Sequence, residues 1–418
     1  MDIAAFEELL TPAGQALLGE VGPADVGETA LLTTASRLRT RYPPELVSAA
    51  LTQARLRLRG RAKFGADADR MYFTPTGLEQ ATRTSVARHR ARRFAAYVPD
   101  GGTVLDLGCG IGGDLIARGL AGCRGHGVDR DALTVAVARA NLRAFGLEDV
   151  ATVCEADAAT RDPSAYAAVF ADPGRRTSRG RVFDPEAYEP PLTTVLELAG
   201  AAPAACVKVA PGIPHDAIPP GAEAEWISDG GEVKEAALWL GALSGASPGI
   251  PPPSATGVLR RATVLREGRP PATLVADPAL GPPEVADWRR YLYEPDGAVV
   301  RAHLVAEVAA MLDGALADPR IAYITSGVLR ATPFAHVYEI HDVLPFSVKR
   351  VRAALRERDV GTLTIKKRGF AADIDRLRRE LRTGGSRECV LVLTRVGDAP
   401  VALICDALSQ VPAEDTPP

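Results

Sequence analysis

The 418-residue sequence predicts an α/β protein: a doubly wound, mainly parallel sheet between a helical N-terminal segment and a small α+β C-terminal segment. Three observations predict it. Strand-like apolar runs alternate with helical stripes through residues 98–245. The first of these strands, Thr103 to Leu107, runs straight into a turn holding Gly108, Gly110, Gly112 and Gly113. Further on, Ala222–Ser228 and Glu232–Trp239 flank Asp229-Gly230-Gly231, a hairpin signal that ends the parallel sheet.

Residues 1–97 read as helical. Thr11-Pro12 is an N-cap followed by Pro at the first helical position. Leu46, Val47, Ala50, Leu51, Ala54 and Leu58 recur at helical spacing within 44–59, and Thr74-Pro75 opens a further helical stretch to about Tyr97. In residues 98–245 the expected strands are 103–107, 123–128, 150–154, 167–171 and 204–209, and the expected helices 112–120, 131–145 and 185–199. The proline run at 247–254 reads as a surface loop or domain edge. A short hairpin is expected over 260–265 and 272–276, and a helix over 303–316. Within 320–412 the expected strands are 335–340, 361–366 and 389–395, and the expected helices 347–358 and 373–383. The domains drawn from this are 1–97, 98–245, a connecting region at 246–319, and 320–418.

Composition narrows the function. The hydrophobic fraction of 46% supports real cores, and a net charge of −3 points to no polyanion partner on its own. The six cysteines show no C-x-x-C or Cys/His clustering, so reduced cytoplasmic thiols are expected rather than a metal site or disulfides. Neither a signal peptide nor a membrane span is expected. Charge is nevertheless concentrated. Residues 55–93 hold eleven Lys/Arg against three acids, a net +8. Residues 349–388 hold thirteen against six, a net +7. The first segment reads either as a phosphate-facing surface or as an ordinary solvated helix face, and the second as a basic surface that would hold phosphates.

Strand, glycine turn and helix together make a nucleotide-cofactor cradle. Gly108, Gly110 and Gly113 also satisfy the dinucleotide fingerprint, so the acids decide between cofactors. Asp106 lies inside the first strand. Asp129 ends the second, where it would meet ribose hydroxyls. Asp157 ends the third, where it would meet an adenine amino group. Asp172-Pro173 ends the fourth, and the hairpin follows the fifth. This set favours S-adenosylmethionine over a dinucleotide.

Residues 103–240 resemble the class I methyltransferases in glycine motif, acids and strand order. Lys63-Phe64 before Thr74-Pro75, then Gly110-Ile-Gly-Gly113, is similar to the trimethylguanosine synthase type of catalytic domain. The whole chain resembles the bacterial methyltransferases with a C-terminal THUMP-like domain. Phe73–Thr82, Ala171–Arg176, Val209–His215 and Ile365-Lys-Lys-Arg-Gly369 carry that likeness. The resemblance implies a Rossmann-like seven-stranded methyltransferase sheet, with an N-terminal helical domain and a C-terminal α+β THUMP-like domain. It implies RNA as the partner, adds Thr74 to the cofactor contacts, and offers Lys63, Phe64, Lys366, Lys367 and Arg368 as substrate contacts.

Methyl transfer is an in-line displacement, so the protein must chiefly align the nucleophile and strip its water. Amino-methylating members use an Asn/Asp-Pro-Pro-aromatic loop after strand four. Here Asp172-Pro173 is present and the aromatic is absent, so Asp172 is the candidate for gripping an amine, and a capping role is its alternative. Arg175 and Arg176, with Arg179 and Arg181, suit a phosphate or carboxylate. His215 is a candidate base or a loop histidine, and Lys208 is expected to snorkel or to pair with an acid. Phe64, Tyr72 and Phe73 wall the cofactor, stack a base or pack the helical segment. The rivals are a methyltransferase on a small anionic metabolite or a protein, and an RNA-binding protein that keeps the fold without catalysis.

Overall fold

The computed structural model describes residues 2–22, 26–27, 29–98, 101–174, 176–177, 180–181, 184–245, 254 and 256–408. The chain divides into two compact units. The first holds residues 1–224 and 235–259, and the second holds 225–234 and 260–418.

The first unit opens with helices α1 (Ile3–Leu9), α2 (Pro12–Glu20), α3 (Leu31–Leu38), α4 (Pro44–Phe64), α5 (Pro75–Gln80) and α6 (Thr84–Tyr97). Asp2, Thr11 and Thr74 cap α1, α2 and α5 with their side chains. The sheet strands are β1 (Thr103–Leu107), β2 (Arg124–Asp129), β3 (Ala151–Glu155), β4 (Ala168–Ala171) and β5 (Ala204–Val209). Then come β6 (Glu223–Asp229) and β7 (Glu232–Gly241), with Gly230 and Gly231 both at positive φ between them, as a primed turn requires. The sheet order runs β3-β2-β1-β4-β5-β7. All neighbours are parallel except β7, which is antiparallel to β5. Between the strands lie α7 (Gly113–Leu120), α8 (Ala132–Ala144) and α9 (Leu192–Gly200). The sequence places the start of α9 at 185. The helix begins instead after Pro190 and Pro191, whose missing N–H groups suit a helix entry but not its interior. Phe6, Leu17, Val47 and Phe73 from the helical segment share one core with Ile111, Leu115 and Val137. Residues 1–97 therefore pack on the sheet domain's own helices.

Residues 225–234, the body of β6 with its turn and the start of β7, belong to the second unit, which continues with the antiparallel pair β8 (Leu259–Leu265) and β9 (Ala272–Val275). Next come β10 (Tyr291–Pro295), α10 (Gly297–Arg301), α11 (Val305–Met311), β11 (Gly314–Asp318), β12 (Ile321–Ser326) and β13 (Ala335–Pro345). Last are α12 (Val348–Glu357), β14 (Val360–Lys367), α13 (Ile374–Leu381), β15 (Arg387–Val396) and β16 (Ala399–Ala407). Seven strands form a sheet in the order β11-β12-β10-β13-β16-β15-β14, mixed because β14 and β15 run parallel. The helix expected over 303–316 stops early. Asp313 takes φ +50° and the chain leaves as β11. Leucines of α12 and α13 cover one sheet face with Leu363, Leu391 and Leu393. Among the described residues no helix is long and apolar enough to cross a membrane. Of the proline run, only Ser254 lies within the described residues.

Candidate active site

The glycine turn folds as its spacing demands. Gly108, Gly110 and Gly112 have φ of +79°, +54° and +84°, a region closed to most side chains. A side chain at Gly110 would meet nothing within 4 Å, and one at Gly108 would meet only the Asp172 carbonyl oxygen at 3.8 Å. The turn therefore faces open space with Asp172 across it. The amides of Gly108 and Cys109 donate to the Val128 carbonyl at 3.0 and 2.9 Å, which fixes the turn to β2.

The acids stand along the carboxyl ends of adjacent strands. Asp129 Oδ2 accepts from the Gly110 amide at 3.1 Å, and its Oδ1 accepts from the Asp131 amide at 3.0 Å. Its backbone carbonyl accepts from Ala156 at 3.0 Å, tying β2 to the segment after β3. Asp157 is exposed there and caps a one-turn helix by accepting from the Ala159 amide at 2.9 Å. Asp106 is placed differently. It is 1% exposed and ion-paired to the buried Arg118 of α7. Among the described residues its Oδ1 has no partner. Burial lifts its carboxyl to about 6, against the pull of Arg118. It thus anchors α7 beneath the turn and leaves one acceptor oxygen unclaimed.

Thr74 caps α5 at Gly77, and it is here that the helical segment meets the turn. A side chain on Gly77 would lie 2.7 Å from Thr74 Oγ1 and closer still to Ile111 Cγ2. Two buried amides, neither legible as functional in the sequence, complete the join. Asn141 accepts from the Tyr72 amide at 2.7 Å and donates to Tyr72 and Ile111 carbonyls at 3.0 and 2.8 Å. Gln53 accepts from the Phe73 amide at 2.9 Å and donates to the Phe73 carbonyl at 2.6 Å.

Beneath Asp172 lies a buried charge network. Lys208 of β5, its side chain 4% exposed, holds Asp172 Oδ2 at 2.5 Å and Thr82 Oγ1 at 3.0 Å. Arg90 of α6 binds Asp114 at 2.6 Å and pairs with Glu235. Asp114, at the start of α7, is held below the usual carboxylate range. Burial opposes this, but Arg90, Arg118 and Lys208 outweigh it. Pro173 is buried, and Gly174 exchanges two hydrogen bonds of 2.9 Å with Glu189, which fixes the loop after Asp172. The loop's continuation falls where Arg175 and Arg179, and the side chains of Arg176 and Arg181, lie outside the described residues.

Comparison with known proteins gives the chemistry. Two uncharacterised S-adenosylmethionine-dependent methyltransferases of Mycobacterium tuberculosis, from strains CDC 1551 / Oshkosh and ATCC 25618 / H37Rv, are each 38% identical to this chain over 331 residues. The match covers 78% of this chain and 85% of theirs. The chain belongs to the S-adenosylmethionine-dependent methyltransferases. A family described as THUMP domain-like matches residues 335–407, and a domain of unknown function, DUF8688, matches residues 2–60. The crystal structure of a protein assigned as a methyltransferase from Porphyromonas gingivalis W83 has the same fold. It has a TM-score of 0.73 at 22% identity, and the match covers 97% of this chain and 98% of that one.

The space before Gly110 is open, Asp157 is exposed, and Asp106 Oδ1 is buried beneath the turn. The other candidate contacts have partners within their own unit. Lys63 is engaged at α5. Its ammonium donates to the carbonyls of Leu78, Glu79 and Ala81 at 2.9, 2.6 and 2.8 Å, so it caps the end of α5. Phe64 is 6% exposed, packs at a tilt against Phe73 with centroids 5.5 Å apart, and lies beside Gly113. Lys366 pairs with Glu294, Lys367 donates to the Ala372 carbonyl at 2.8 Å, and Arg368 donates to the Ala322 carbonyl at 2.6 Å.

The two basic runs also part ways. In 55–93, Arg61, Arg70 and Arg88 bind Asp69 or Asp67, Arg93 pairs with Glu223, and Arg90 is buried. Arg57 and Arg83 donate to backbone carbonyls. With Lys63, eight of the eleven cations are thus spent on structure. In the second unit, Lys349, Arg350 and Arg356 on α12 and Arg379 and Arg382 at the end of α13 are exposed.

Proposed function

We propose that the protein transfers a methyl group from S-adenosylmethionine to RNA, with Asp172 orienting the accepting nitrogen. The observation that carries the catalytic part is the Lys208–Asp172 pair at 2.5 Å, set across the turn from Gly108. S-adenosylmethionine supplies an electrophilic methyl group on a good leaving sulfur. Asp172 then need only accept an N–H hydrogen bond through its second oxygen, so that the nitrogen lone pair faces the methyl carbon. Lys208, fixed by Thr82, holds that carboxylate in one rotamer. Pro173 and the Gly174–Glu189 bridge keep the loop from yielding. The RNA part rests on the THUMP domain-like match and on the basic faces of α12 and α13, which suit phosphates.

A small anionic acceptor is the second reading. The internal use of the cations in 55–93 favours it, because that run offers little track for a polyanion. Tritiated methyl transfer onto total RNA, protein extract and metabolite pools from a strain lacking the protein sorts the classes. Label in RNA is expected. Label confined to protein or to small molecules refutes the RNA reading. Asp172→Ala is expected to lower kcat by about 100-fold or more. If turnover persists near the wild-type rate while Tm falls, Asp172 is only structural.

A further inference from the structure

A second cluster of reactive side chains lies on β2 and β3, and the cradle does not use it. The parallel register pairs His126 with Thr152 and Val128 with Cys154. His126 and Cys154 therefore leave the same sheet face, offset by two residues. His126 Nε2 sits 3.3 Å from Cys154 Sγ. From the loop after β3, Arg161 Nη2 donates to the same sulfur at 3.1 Å. The Arg161 Nε is buried and has no partner of its own among the described residues. Tyr166 packs edge-on against the imidazole with ring centroids 5.9 Å apart, which fixes the ring. Cys154 is half-buried, whereas the other five cysteines are buried.

The imidazole is placed to take the proton of the thiol as it reacts, and the guanidinium is placed to face the sulfur. Burial, with help from Arg161, holds His126 below the ordinary histidine range, so its ring is neutral at pH 7 and Nε2 can accept. Neither group touches the turn or Asp172.

We propose that Cys154 is a modification site, a thiol that reacts with hydroperoxides and is set apart from the other cysteines by His126 and Arg161. The Cys154 thiolate attacks one peroxide oxygen. The S–O bond forms as the O–O bond breaks, giving a sulfenic acid and hydroxide. The proton that His126 took from the thiol returns to that hydroxide, leaving water. Sulfur loses two electrons and the peroxide gains them, so one thiol and one hydrogen peroxide give one sulfenic acid and one water.

The test treats the full chain with hydrogen peroxide and dimedone, which captures sulfenic acids, and follows each cysteine by peptide mass. Cys154 is expected to label about tenfold faster than any other cysteine. Arg161→Ala and His126→Asn are each expected to slow that labelling about fivefold, and Arg161→Lys, which keeps a cation, to slow it less. Melting curves of each variant show whether the fold is kept. Since both substitutions aim at one sulfur, either folded variant suffices. Label spread evenly over the cysteines overturns the proposal. So does wild-type labelling of Cys154 in a folded His126→Asn or Arg161→Ala protein.

Discussion

Gly77→Ala tests whether the Thr74–Gly77 segment sets the shape of the glycine turn. Gly77 sits inside α5, where Ala is ordinarily better than Gly by about 0.5–1 kcal/mol. The structure reverses the sign. The new methyl would lie 2.7 Å from Thr74 Oγ1 and closer still to Ile111 Cγ2. Comfortable carbon contacts need about 3.5–4.0 Å, so something must move by about 1 Å. Neither neighbour yields easily: Thr74 Oγ1 is the cap of α5, and the Ile111 carbonyl is held by Asn141. Overpacking of this kind costs about 1–3 kcal/mol, and a unit of this size loses about 2–4 °C of Tm per kcal/mol. Ile111 lies between Gly110 and Gly112, so its displacement reshapes the cradle. S-adenosylmethionine is expected to bind about tenfold more weakly, equivalent to about 1.4 kcal/mol. The control is Gly19→Ala in α2, where a methyl meets nothing within 4 Å and Tm is expected to hold or rise. Thermal melts with and without S-adenosylhomocysteine, and titration calorimetry, read both effects. If Gly77→Ala raises Tm as Gly19→Ala does, the steric argument is wrong. If Tm falls while affinity is unchanged, the link to the cradle is wrong.

The other predictions follow the same geometry. Asn141→Leu keeps the branched shape but strands Tyr72 N–H and the Tyr72 and Ile111 carbonyls, and is expected to cost more than about 2 kcal/mol in urea unfolding. A cost under about 0.5 kcal/mol would show that water replaces the amide without loss. Asp106 gives a pH signature. Its folded pKa of about 6 lies above the ordinary 3.8, so the folded state holds the proton longer and this group's contribution falls as pH rises through that window. The stability of wild type relative to Asp106→Asn should therefore drop between pH 4 and pH 7. A difference that is flat or that grows contradicts the burial argument. On the RNA reading, Lys349→Glu with Arg356→Glu should weaken RNA binding and reduce its log–log salt slope by about 0.7–0.9 per cation removed. Filter binding across salt concentrations measures it, and an unchanged slope removes α12 from the interface.

The sequence by itself determined the elements whose cause is local. The β1–turn–α7 unit was legible because positive φ at three glycines and an apolar strand leave little other choice. The doubly wound order and the final hairpin followed from the alternation of patterns and from Asp229-Gly230-Gly231. Four strands of the second unit, β10, β11, β12 and β16, were missed. Their burial depends on a mixed sheet assembled from distant segments, which no local period records.

The tertiary structure decided what the polar residues do. Asn141 binds Tyr72, sixty-nine residues away, and Lys208 binds Asp172, thirty-six away. Lys63 looked like a substrate contact until the last turn of α5 came within reach of its ammonium. Five of the eleven 55–93 cations, readable in the sequence as a phosphate-facing surface or as a solvated helix face, are paired once Asp67, Asp69, Glu223 and Glu235 are brought beside them. Charge and hydrogen-bonding capacity are visible in a sequence, but the partner that consumes them is chosen only when the chain folds. For that reason the methyl donor could be read early, while Asp172 acquires its poise from Lys208, on a neighbouring strand.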